Sequence, residues 1–342
     1  MVLLFFCNHC HRFGASGEAD LPVSLAQGRH QAGNTRKIPR PCTGRGQEDG
    51  MEQGRGTLAG IGLMLAAMAV LPFLDVVAKT LGQQGMPILQ IVWARMAMGT
   101  LMTAPFAARI GGLRGLWPAR PGMHALRTAF LISATFCFFF ALKFLPIADA
   151  LAIFFVQPLV VTALSPLVLG ERVGPRRWAA VAVGFIGTLV IIRPGFQAIN
   201  PGMLLALAAG TSLALYMLIT RRMAGRDHAM VTTFQTSLIG AIAVSLAVIP
   251  VWQAPTPAQW ALFLALGFVA TFGHYLIVMA YDRAEASLLA PLAYTEMIMA
   301  VAVGWWFFGD FPDIWTFVGV GILMACALYI SARERVVTKP AE

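Results

Sequence analysis

The chain has 342 residues, 58% of them hydrophobic and 12% charged, with a mean hydropathy of +0.71. This is too apolar for a domain folded around one aqueous core and defines a polytopic membrane protein. The formal charge of +9 does not indicate nucleic acid, because the basic residues fall in short clusters between apolar runs and form no stripe with interleaved aromatics.

Residues 1–50 are polar, rich in Gly and Arg, and read as a disordered segment. Met1–Phe6 is too short an apolar run for the core of a signal peptide. Met51 opens MEQGRGTLAG, a basic lead into the first apolar run, and is the expected translation start. Cys7-Asn-His-Cys-His11 imitates half a zinc site with no second half nearby, so neither a metal nor another cofactor is expected. Cys42, Cys137 and Cys326 are scattered and give no disulfide framework.

A hydrocarbon core of about 30 Å needs roughly 20 apolar residues per helix. That rule divides the rest of the chain into ten predicted spans, at 57–79, 88–108, 124–143, 147–168, 177–193, 201–220, 230–250, 258–280, 287–308 and 313–332. The tail 334–342 follows the last of them. Arg109, Arg114 and Arg120 follow span 2; Arg172, Arg176 and Arg177 follow span 4; Arg221, Arg222 and Arg226 follow span 6; Arg283 follows span 8; and Arg333, Arg335 and Lys339 follow span 10. The alternate loops are nearly bare of Lys and Arg, so the positive-inside rule puts both termini in the cytoplasm. Trp117, Trp178, Trp252, Trp260, Trp305, Trp306 and Trp315 fall near span ends, as interfacial anchors do.

The segment ALKFLPIADALAIFFVQPLVVTALSPLVLGERVG from Ala141 aligns without gaps on AYDRAEASLLAPLAYTEMIMAVAVGWWFFGDFPD from Ala280. Each carries an apolar run, a polar residue in mid-span and a Gly-acid stop, Gly170-Glu171 in one and Gly309-Asp310 in the other. Two repeats, 55–195 and 200–333, follow from this echo; five spans in each is an odd number, so the second copy enters the membrane inverted. The expected fold is therefore all-α, ten transmembrane helices in a 5+5 inverted repeat.

The same register pairs Gln157 with Glu296, Thr135 with His274 and, within one residue, Arg95 with Gln235. A charge at bilayer depth costs at least about 2.5–3.5 kcal/mol, so Arg95 and Glu296 are expected to face the protein interior or a water-filled cavity. Gln157-Pro158 marks another such point, since proline frees a backbone carbonyl. Glu296 contacts substrate or a coupling proton, or else is a structural partner of Arg95 or of a backbone group. Arg95 itself binds substrate or anchors a carboxylate in the bundle. His274 is a titrating group or a helix-to-helix hydrogen bonder. Asp75 and Lys79 stand four residues apart in the order that favours an i,i+4 pair near the outer end, with gating as the functional alternative. Asp149 caps span 4 electrostatically or meets substrate. Gly60, Gly62, Gly184, Gly187, Gly319 and Gly321 are expected to permit close helix packing.

The chain resembles the drug/metabolite transporter superfamily, specifically its ten-helix EamA-type carriers. The resemblance rests on Asp75 to Lys79, Arg95, the run Phe140–Asp149, Pro158, Leu169-Gly-Glu-Arg-Val-Gly174 and Arg193-Pro-Gly195 in the first half. Pro291, Tyr294-Thr-Glu296 and Phe308-Gly-Asp310 carry it in the second, and it covers about 55–335. The pattern is most similar to a branch that contains riboflavin and S-adenosylmethionine carriers. It implies a secondary transporter, monomeric or homodimeric, in the bacterial inner membrane, moving a small polar or zwitterionic metabolite with a proton as candidate coupling ion. Glu296, Arg95, Gln157, His274, Tyr294, Gln235, Asp75 and Asp149 are then the candidate substrate or coupling residues. A membrane enzyme is the rival from another class, but there is no HExxH, no Asp-rich diphosphate motif and no Ser-His pairing in mid-span. A passive channel fits inverted symmetry with sparse buried charge less well.

Overall fold

The structure is a computed structural model that describes residues 45–118, 120–170, 173–193, 200–223, 229–281, 283–284 and 289–338. Its elements are α1 (Arg45–Val70), α2 (Pro72–Gln83), α3 (Ile88–Gly115), α4 (Pro121–Ala141), α5 (Ile147–Phe154), α6 (Gln157–Leu169), α7 (Pro175–Ile192), α8 (Pro201–Met223), α9 (Ala229–Val248), α10 (Pro257–Tyr281), α11 (Glu296–Phe308) and α12 (Ile314–Thr338). Short 3₁₀ turns occupy Ile249–Val251 and Ala290–Thr295. Five of the helices begin at a proline, where the missing N–H has no intrahelical partner to lose and φ is already helical.

Each predicted span has its helix, but three are not single rods. Span 1 is α1 and α2, which meet at Leu71 in front of Pro72. Span 4 is α5 and α6, interrupted at Phe155 and Val156 before Gln157-Pro158. Span 9 is a 3₁₀ turn followed by α11. In each case a proline removes a ladder donor and the helix breaks next to it. Two boundaries also differ from expectation: α1 starts at Arg45, inside the segment read as disordered, and α12 continues to Thr338, through part of the expected tail. Residues 1–44, with the cysteine-histidine cluster, lie outside the described residues.

The helix contacts obey an exchange of the two halves. Span 3 packs on span 6 as span 8 packs on span 1, span 2 on span 8 as span 7 on span 3, and span 4 on span 6 as span 9 on span 1. The pairs 2 with 7, 4 with 9 and 5 with 10 map onto themselves, so these three lie on the pseudo-twofold axis. At one end of the bundle Lys79, finishing span 1, meets Asp310, finishing span 9. Asn200, starting span 6, donates to the carbonyl of Phe144 at the close of span 3 (3.1 Å) at the same end. Gln90, starting span 2, exchanges two hydrogen bonds with the backbone of Gln253, just past span 7. Span 1 therefore ends where span 6 begins, and the repeats run in opposite directions.

The Gly-acid stops are equivalent in detail. Gly170 and Gly309 cap α6 and α11 in the left-handed conformation, φ 72° and 71°, each donating its N–H four residues back, to Pro166 and Trp305. Only glycine adopts this backbone without a steric penalty. Of the glycines expected at helix crossings, Gly187 and Gly319 lie at the contact of spans 5 and 10: a Cβ on Gly319 would stand 2.7 Å from the Gly187 carbonyl oxygen. Gly60 and Gly184 are also closely packed, whereas Gly62 and Gly321 face open space and have no packing role.

Candidate functional site

The break in span 4 and the start of α11 in span 9 place repeat-equivalent residues at equivalent positions. Gln157 is the first residue of α6 and Glu296 the first of α11, and they are 0% and 1% exposed. Neither polar atom of the Gln157 amide, nor Oε1 of Glu296, has a hydrogen-bond partner among the described residues. Two residues earlier in each repeat stand Phe155 and Tyr294, whose rings meet at 5.0 Å. Since these two exchange under the repeat, the axis passes between their rings. An acidic side chain in the first turn of α11 complements that helix's dipole, and discontinuous helices near the midplane are where carriers bind their substrates.

Around Glu296 the structure assembles charges from four spans. Asp75, buried on α2, lies within electrostatic reach of both Glu296 and Arg95. Arg95, half-buried on α3, donates from Nη1 to Oγ1 of Thr135 (2.6 Å) and lies over the Phe139 ring at 5.9 Å. His274, half-buried on α10, is in the field of Arg95 and holds the Ala270 carbonyl through Nδ1 at 2.6 Å. No carboxylate among the described residues forms a direct ion pair with Arg95. The group thus contains two carboxylates, one guanidinium and one imidazole, which is one carboxylate more than the single permanent cation can balance. Gln235 is buried on α9, which packs on the helix of Arg95.

One sequence expectation changes here. Asp75 does not pair with Lys79. Lys79, one turn nearer the helix end, extends its stem outward and forms an ion pair with Asp310 at 2.6 Å, with a further hydrogen bond to the Leu145 carbonyl (3.4 Å) and the Phe308 ring 4.6 Å away. This leaves the shorter Asp75 turned toward Arg95 and Glu296. Asp149 accepts a hydrogen bond from Thr316 (2.7 Å) at the start of α12 and lies in the field of Asp313, Arg193 and Asp310. It therefore belongs to a network at the bundle end together with the Arg193–Asp313 ion pair, and not to the central group.

That end carries a cavity of about 450 Å³ lined by Lys79, Lys143, Phe139, Phe308 and Asp310, among others. Phe139 forms part of its wall and also faces Arg95, so one ring separates the cavity from the central charges. At the opposite end Arg109, Arg120, Arg176, Arg222 and Arg283 are exposed. Between that arginine-rich end and the centre lies Arg127 on α4, which the sequence reading passed over. It stands inside the apolar run of span 3, and the same insertion cost that singled out Arg95 would have singled it out too.

Ten helical spans in an inverted repeat, broken at two equivalent points around buried charge, define a polytopic membrane transporter. The EamA-like transporter family model matches the chain twice, over residues 58–193 and 200–332, and the chain belongs to that family. It is 29% identical to a riboflavin transporter of Rhizobium johnstonii over 286 residues, covering 83% of this chain and 94% of that one. It is 25% identical to an S-adenosylmethionine uptake transporter of Rickettsia prowazekii over 278 residues, 81% and 94% of the two chains. It is 28% identical to a pseudopaline exporter of Pseudomonas aeruginosa over 288 residues, 80% and 96%. One crystal structure, 20% identical, superposes with a TM-score of 0.56 over 84% of this chain and 99% of its own, a likeness of fold alone.

Proposed function

We propose that the chain is an alternating-access carrier of a small polar metabolite with a cationic or zwitterionic group, exchanged against a proton across the bacterial inner membrane. The observation that carries this reading is the buried pair Asp75 and Glu296, in each other's electrostatic reach, with Asp75 in the field of one guanidinium, Arg95. Two carboxylates and one fixed cation in a low-dielectric interior require a second positive charge, and either a proton or the substrate's cationic group supplies it. Competition between the two for one position is the elementary requirement of exchange. Gln157, Tyr294 and Phe155, on the axis, give the substrate hydrogen-bonding and aromatic surface. The relatives named for riboflavin and S-adenosylmethionine favour a polar metabolite with an aromatic ring system.

In this reading the arginine-rich end and both termini are cytoplasmic, the repeats are the units 55–195 and 200–333, and the Lys79–Asp310 and Arg193–Asp313 pairs close the external end. The test is transport by purified protein in liposomes loaded in turn with riboflavin, S-adenosylmethionine, nucleosides and amino acids. Saturable flux that is accelerated by substrate or by a proton gradient on the far side supports a carrier. Flux that rises linearly with concentration and never saturates contradicts it.

A further inference from the structure

We propose that Arg127 is a second oxyanion-binding point on the transport path, on the arginine-rich side of Arg95, which receives a carboxylate or phosphate group of the substrate. The inference rests on the carrier reading above and adds to the substrate an anionic group that the two central carboxylates do not recognise.

Arg127 is 2% exposed, deep in the packing of α4 against α8 and α9. All of its hydrogen bonds leave from one nitrogen: Nη2 reaches Oγ1 of Thr236 (2.5 Å), the hydroxyl of Tyr216 (3.2 Å) and the carbonyl of Thr232 (3.4 Å). Nε and Nη1, which carry three of the five N–H donors of a guanidinium, have no partner among the described residues. No carboxylate among those residues forms an ion pair with it. A clip holding three helices together needs only the Nη2 bonds, and a neutral amide would make it without the cost of burying a charge. A permanent cation with its remaining donors unused is the complement of an oxyanion, for which guanidinium is the best side-chain ligand.

The position fits a path. Arg127 and Thr135 are eight residues apart on α4, about 12 Å along the axis, and Thr135 is the residue that holds Arg95. Tyr216 stands between the two guanidiniums, accepting from Arg127, beneath it at 5.0 Å from the ring centroid, and within the field of Arg95. Two cations on neighbouring helices, Arg127 on α4 and Arg95 on α3 held to α4 by Thr135, with the phenol of Tyr216 near both, form successive stations for an anion moving from the centre to the arginine-rich end.

The probe is inorganic phosphate, titrated against chloride at constant ionic strength while the thermal unfolding of the purified full-length protein is followed. Wild-type protein should show a saturable stabilisation. Arg127→Gln should lose it, with apparent affinity falling about tenfold to a hundredfold for one charge-assisted hydrogen bond; Arg127→Lys should retain part of it. Absence of saturation in the wild type, or the same titration curve in Arg127→Gln, overturns the proposal. Should Arg127→Gln not fold, modification of wild-type Arg127 by phenylglyoxal, mapped by mass spectrometry, should be slowed by phosphate; an unchanged rate overturns the proposal equally. A phosphate effect that depends on Arg127 in a protein without metabolite exchange separates the two claims: the anion point stands and the carrier reading fails.

Discussion

Neutralising Asp310 should release the end of the bundle that carries the cavity. Lys79 is 9% exposed and Asp310 32%, so their pair is neither a solvated surface bridge nor a fully buried one. Asp310→Asn keeps an acceptor near Lys79 but removes the counter-charge, a loss of about 1.5–3 kcal/mol for a charged hydrogen bond. The contacts of Lys79 with the Phe308 ring and the Leu145 carbonyl remain in both forms and cancel, while the partial solvent exposure of Asp310 screens the pair and reduces that loss. The net change of about 1–2 kcal/mol shifts a closed-to-open equilibrium by a factor of about 5–30. Ala78 lines the same cavity, so the assay is the labelling rate of Ala78→Cys by a membrane-impermeant thiol reagent, in protein lacking its five native cysteines. Labelling should accelerate by that factor in Asp310→Asn and in Lys79→Met, and return toward the original rate in the charge swap Lys79→Asp with Asp310→Lys. Rates unchanged in the single variants, or a swap no slower than they are, would refute the latch.

Gly319→Ala should lower the thermal stability of purified protein, because the new methyl group meets the Gly187 carbonyl oxygen at 2.7 Å, with about 1–3 kcal/mol expected for overpacking; Gly321→Ala, facing open space, should change it by less than about 0.5 kcal/mol. Equal losses would contradict the observed crossing of spans 5 and 10. Reporters fused after residue 226 should be active as cytoplasmic fusions and those near 254 as external ones, and a reporter near 254 accessible only from the cytoplasm would invert the assigned ends.

The repeat was legible because it is written in residue types whose physics is local. A glycine before an acid stops a helix wherever it stands, and Gly170 and Gly309 do so with the same φ. A proline breaks the ladder at its own position, which is how Gln157 came to begin α6, and the gapless register carried that position to Glu296. The partners of long charged side chains were not legible in this way. Lys79 and Asp310 are 231 positions apart, and the local signal, an aspartate four residues before a lysine, pointed to the wrong carboxylate because a flexible stem takes whichever acid the packed bundle brings within reach. Asp149 was placed by the same network. Its role depends on Thr316, which comes near only when spans 4 and 10 pack together. Arg127 was a missed signal of a different kind, a charge already inside an apolar run.

Glu296→Gln tests the central claim most directly. The amide keeps the shape and removes the titrating oxygen from a group in which Glu296 faces Asp75 and Asp75 lies in the field of Arg95. Reconstituted with an imposed pH gradient, the folded variant should still exchange substrate across the liposome membrane but should no longer accumulate it against a concentration gradient. Accumulation that follows the pH gradient as in the wild type, with unchanged substrate affinity, would show that Glu296 only fills space at the start of α11 and that the proposed site is wrong.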